Sequence, residues 1–83
     1  MMTVRVAVHE AWDEIAMQVD PSKSVAAVKA DALHAARIIE DPDAFEMKFR
    51  GAALRMESAS LAECGVPDGA ALIVLRRRRR PVR

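Results

Sequence analysis

The chain has little with which to build covalent or metal chemistry. Its 83 residues include one cysteine, Cys64, and two histidines, His9 and His34, far apart in sequence. A single thiol cannot close an internal disulfide, and one Cys with two scattered His does not make a metal set. Glycine is also scarce. The three glycines sit singly at 51, 65 and 69, so there is no Gly-rich loop to cradle a phosphate and no Gly-Gly pair. One Trp, two Phe and no Tyr are too few to interleave with basic residues as a stacking platform for bases. No apolar run approaches the roughly 18 residues of a membrane helix. The opening "MMTVRVAVHE" lacks the basic, apolar, small order of a secretory leader. Together these absences fit a cytoplasmic protein.

What is present suits one domain. Apolar content is 52%, which is globular rather than disordered. A chain of this size buries about 60% of its unfolded surface and can rest on a single core. Charge is divided along it. Residues 1–75 carry seven basic side chains against twelve acidic ones, a net −5, while residues 76–83 carry six arginines and no acid. This is an acidic body with a basic end, not a uniformly basic binder of nucleic acid.

Patterning gives the elements. "TVRVAV" (3–8) and "EIAMQV" (14–19) alternate apolar and polar residues, the mark of half-buried strands. The polar "HEAWDE" joins them as a hairpin loop. In "DPSKS", Ser22 or Ser24 can accept from the free amides of a helix start. Val25, Val28, Ala32, Ala35 or Ala36, and Ile39 then recur at helical spacing over an alanine-rich stretch. Asp41-Pro42 is expected to end that helix. About 15 residues at ~1.5 Å each would make it roughly 22 Å long. "FEMKF" (45–49) alternates again, and Gly51 marks a turn. "ALRM" is expected to be a short fourth strand. Ser60 reads as a cap for one helical turn at 61–64, Pro67-Asp68-Gly69 as a turn, and "AALIVL" (70–75) as the last strand. One helix must cover one face of one sheet.

That order, on the stretches "EIAMQVDPSKSVAAVKA", "MKFRGAAL" and "SLAECGVPDGAALIVLR", resembles ubiquitin and its β-grasp relatives over roughly residues 2–77. "LAECGVPDGAALIVL" is also similar to the bacterial YukD-like branch. The resemblance implies an α+β, ubiquitin-like β-grasp: a mixed four- to five-stranded sheet with one main helix across one face. The β-grasp domain is expected over 1–77 and a basic flexible tail over 78–83. By the same resemblance Lys29 matches a partly buried helix lysine, with Glu57 the nearest acid for a structural pair. The family's partners grip the open sheet face, centred on a third-strand isoleucine. Lys48 stands there in this chain, with Ile73 and Leu75 on the last strand and Arg5, Ala7, Glu46 and Arg50 around them. The expected protein-binding face is therefore Arg5, Lys48, Arg50, Ile73 and Leu75, an apolar anchor with a charged rim. Members that become covalently attached end in Gly-Gly, which is absent here. The resemblance therefore implies a non-covalent module, an accessory subunit of a larger bacterial assembly.

No catalytic, metal or cofactor set emerges, so the chain is expected not to be an enzyme and to take no small-molecule substrate. Cys64, beside Leu61 and Val66, reads as a small buried side chain. The acidic pairs Asp13-Glu14 and Asp41-Pro42-Asp43 suit turns rather than acid-base catalysis. Trp12 is expected to fold back on the edge of the core, with an exposed contact anchor as the alternative. Arg76, Arg77, Arg78, Arg79 and Arg80 form a basic tail with three readings. It is an arm for an acidic partner or a solubilising gatekeeper, a weak contact to nucleic acid, or a weak contact to an anionic membrane.

Overall fold

The computed structural model describes residues 1–77. Strand β1 (Met2–Val8) turns through a short 3-10 segment, His9–Ala11, into β2 (Asp13–Val19). Helix α1 (Val25–Ala35) follows, then a 3-10 segment at Pro42–Ala44 and strands β3 (Phe45–Phe49), β4 (Ala52–Ala53) and β5 (Ala71–Arg76). The sheet order is β2-β1-β5-β3-β4. Only β1 and β5 run parallel, with Val6 opposite Leu72 and Val8 opposite Val74. The other neighbours are antiparallel. The fold is a five-stranded mixed sheet with one helix, the architecture that the resemblance implied.

Period-two alternation decides which face is covered. Val4, Val6, Val8, Phe45, Met47, Leu72 and Val74 all point to one side and are buried. Helix α1 lays Val25, Val28, Ala32 and Leu33 over them, and Leu61 seals the helix start. Among the described residues, none gives the opposite side of the sheet such a cover.

Ser24 caps the helix by accepting from the Ala27 amide at 3.1 Å. The amides of Val25 and Ala26 donate to the carbonyls of Ala59 and Glu57, both at 2.9 Å. The helix N-terminus is thus closed by the 57–59 segment as well as by its own cap.

Two details differ from the sequence expectation. The helix stops at Ala35, well before Asp41-Pro42. Arg37 adopts φ 63°, its amide donates to His34 O, and the Ile38 amide reaches back to Leu33 O. This is a Schellman closure with Arg37 where glycine is usual. It turns Ile38 onto the core and leaves Ile39 99% exposed. The fourth strand is Ala52–Ala53 rather than "ALRM", because a two-residue loop fixes the register of Phe49 on Ala52. Residues 61–65 make the single turn expected there, with the Cys64 amide reaching Ser60 O at 3.1 Å. Ser60 and Glu63 cap each other there, Glu63 N donating to Ser60 Oγ at 3.0 Å and Ser60 N to Glu63 Oε1 at 2.8 Å.

Candidate protein-binding face

The uncovered side of the sheet is read off the strand registers. Lys48 pairs with Ile73, Ile73 with Ala7, and Ala7 with Glu14. One row across four strands is therefore Lys48, Ile73, Ala7, Glu14. The next row on one side holds Ala71, Arg5 and Ala16, and the next on the other pairs Leu75 with Glu46. Ile73 and Leu75 are half-buried, and Arg5 and Arg50 are exposed. Arg5, Lys48, Ile73 and Leu75 thus share one face, with Arg50 at its corner.

The corner is built by strain in a tight turn. Arg50 and Gly51 are the two central residues between β3 and β4, with φ 54° and 81°. Positive φ at both centres is what a type I′ hairpin needs, and Asn or Gly is the usual first residue. Arg50 occupies that place and lays its guanidinium 5.0 Å from the Phe49 ring centroid, a cation–π contact. Across from it, residues 67–71 are pinned to β1. Thr3 N donates to Asp68 Oδ1 at 2.7 Å, and Gly69 N donates to Thr3 O at 2.7 Å. Between these two turns lies an open groove of about 550 Å³, lined by Lys48, Phe49, Arg50, Asp68, Ala71 and Ile73 among others.

Lys29 and Glu57 meet as the resemblance implied. The Lys29 side chain is 1% exposed. Its ammonium donates to Glu57 Oε1 at 2.7 Å, Glu57 Oε2 at 2.8 Å and Phe45 O at 2.9 Å. All three of its protons are used, so a full charge is tolerated inside the fold.

The arginine run is divided by the structure. Arg76 is the last residue of β5. Its guanidinium donates to both oxygens of Glu40, at 2.6 and 3.0 Å, and to Glu10 Oε2 at 3.0 Å. It also lies 4.9 Å from the Phe45 ring centroid. The neighbouring guanidinium holds the Glu40 carboxyl below its ordinary value, and the two carboxylates push Arg76 upward. Arg77 donates from its backbone to Ala44 O at 2.9 Å, and from its side chain to Asp43 O at 2.8 Å and Glu57 Oε2 at 3.0 Å. The first two of the five arginines, inside the domain expected over 1–77, are fastened to the body. Arg78, Arg79 and Arg80 lie outside the described residues.

Trp12 does not fold back. It stands in the left-handed region at φ 53°, ends the 3-10 segment and is 95% exposed. The four-residue loop sends it away from the sheet. Cys64 is half-buried beside Leu61 rather than fully enclosed.

A single helix across a mixed sheet, with parallel first and last strands and a buried helix lysine paired beyond the fourth strand, defines the ubiquitin-like β-grasp. Among solved structures the chain is similar to a ubiquitin of Caldiarchaeum subterraneum. The TM-score is 0.78 over 93% of this chain and 94% of that one, at 22% identity. No family model and no curated protein matches.

Proposed function

We propose that this chain is a non-covalent protein-interaction module of ubiquitin-like type, working in the cytoplasm as an accessory subunit of a larger bacterial assembly and performing no catalysis of its own. The observation that carries the reading is the uncovered sheet face. Half-buried Ile73 and Leu75 form its apolar centre, and Arg5, Lys48 and Arg50 form a charged rim. An apolar centre inside a polar rim is the composition of a transient protein interface.

The rival reading is polyanion binding through the arginine run. Its weakness is that Arg76 and Arg77 already face Glu10, Glu40 and Glu57. The two readings separate in one experiment. A photo-crosslinking residue is placed at Leu75 on the face, at Asp31 on the helix, or at Arg79, and irradiated in the native cell. Discrete protein adducts from position 75 and none from 31 support the module. Adducts to nucleic acid from position 79 alone overturn it.

A further inference from the structure

The cations of the open face point to the chemistry of what binds there. The body is acidic, yet five of its nine described cations make no ion pair. Among the described residues, Lys23, Lys29, Arg76 and Arg77 make ion pairs. Arg5, Arg37, Lys48, Arg50 and Arg55 make none, although twelve acidic side chains were available to the fold. Three of these five, Arg5, Lys48 and Arg50, border the same side of the sheet. Lys48 and Arg50 line the groove between the 50–51 and 67–71 turns, and Arg5 lies beside Ala71 in the sheet. The one acid in the groove, Asp68, is already committed to the Thr3 amide. Arg50, moreover, is held in a backbone conformation better suited to Asn or Gly. That strain is retained at the mouth of the groove, where a cation is useful to a ligand.

We propose that this groove takes an acidic segment of a partner protein, its carboxylates on Lys48, Arg50 and Arg5 and an apolar side chain between them on Ile73. This names the partner chemistry for the face described above and rests on that reading. A peptide fits better than a phosphate backbone for two reasons. The floor is apolar rather than stacked aromatic, and the groove is short. Glu46 and Glu14 sit on the same face toward the end of β1 and β5, and would repel a continuous anionic strand leaving in that direction.

The test is an amide-shift titration of the whole isotope-labelled chain with three probes. These are a short peptide of interspersed Glu and Leu, its Gln and Leu analogue, and an oligothymidylate of matching charge. The Glu peptide is expected to shift the amides of Lys48, Arg50, Gly51, Ala71 and Ile73, and the Gln analogue to bind more weakly. Arg50→Asn and Lys48→Gln should each weaken the Glu peptide about two- to fivefold, the yield of a half-exposed ion pair. Arg50→Asn suits the turn, so an unchanged dispersed spectrum separates lost binding from lost fold. Equal binding of the Gln analogue would overturn the acidic preference and leave the face as a docking surface. Tighter binding of the oligothymidylate at these same amides would overturn a peptide ligand. If neither peptide shifts the face, this inference and the module reading fall together.

Discussion

The Lys29–Glu57 pair makes an asymmetric prediction about stability. Replacing Glu57 by Ala leaves an ammonium 1% exposed with only the Phe45 carbonyl to bond. Breaking a buried pair from one side costs about 3–5 kcal/mol, because the remaining charge is desolvated and unpaired. Replacing Lys29 by Met is different. Glu57 is 17% exposed and still accepts from Arg77 at 3.0 Å, so its charge is not orphaned. What is lost is the donor to Phe45 O, about 1–3 kcal/mol for a buried acceptor, partly offset by a side chain that packs without desolvation. Glu57→Ala should therefore be worse than Lys29→Met, by about 2 kcal/mol from those ranges. In a domain of this size ~1 kcal/mol moves the melting temperature by roughly 4–8 °C. The assay is chemical denaturation of both single variants and of the double variant Lys29→Met/Glu57→Ala. The double should be more stable than Glu57→Ala alone, since removing the ammonium removes the stranded charge. Should the double variant cost the sum of the singles, or Lys29→Met prove the worse single, the account of a fully used buried charge is wrong.

Arg76→Ala should lower stability at neutral pH by releasing Glu40 and Glu10 and uncovering Phe45. Glu40 lies below its ordinary carboxylate value of 4.5 because of Arg76. That contribution is whole above pH 4.5 and fades as pH falls through the lowered folded value. Denaturation midpoints of wild type and Arg76→Ala should thus draw together in acid, and also in high salt. Arg37→Gly should stabilise the fold by about 0.5–1 kcal/mol, since a non-glycine at φ 63° carries roughly 1–2 kcal/mol of strain and glycine returns only part of it as chain entropy. Thermal melting reads that gain. Ser60→Ala should cost about 1 kcal/mol by removing the acceptor for Glu63 N, with faster hydrogen exchange at residues 60–64.

What was legible in the sequence was whatever repeats. Val4, Val6 and Val8 alternate, as do Phe45 and Met47, and Leu72 and Val74; each set is buried. Period two is local, so sheet faces could be assigned before any pairing was known. The resemblance named the five residues of the candidate face, and period two puts Arg5, Lys48, Ile73 and Leu75 out of phase with the buried sets, on the other side. Helix start and the Ser60 cap were also local. The helix end was not, because its αL position carries Arg37 in place of the glycine that would have announced it. Only the docking of Ile38 on the core makes that choice of stop intelligible. The hairpin corner at Arg50 was hidden for the same reason, since Gly51 gave away the turn but not its type.

The arginine run shows where local reading ends. Five identical side chains in a row look alike, and like charges alone argue for an extended segment. Arg76 and Arg77 escape that rule through partners distant in the chain. Glu40 lies 36 residues away, Glu10 66, and Glu57 20. No window of sequence contains those neighbours, and they come together only because β5 ends beside both the β1–β2 loop and the segment after α1. The consequence is a sharp one for any deletion. Removing residues 76–83 takes away two structural arginines together with the rest of the run, so loss of binding would be confounded with loss of the β5 end. Removing residues 78–83 spares Glu10, Glu40 and Glu57 their partners. If the run serves as a polyanion hook, the shorter deletion should abolish salt-dependent binding with the melting temperature unchanged. If its first two members serve the fold, only the longer deletion should lower that temperature.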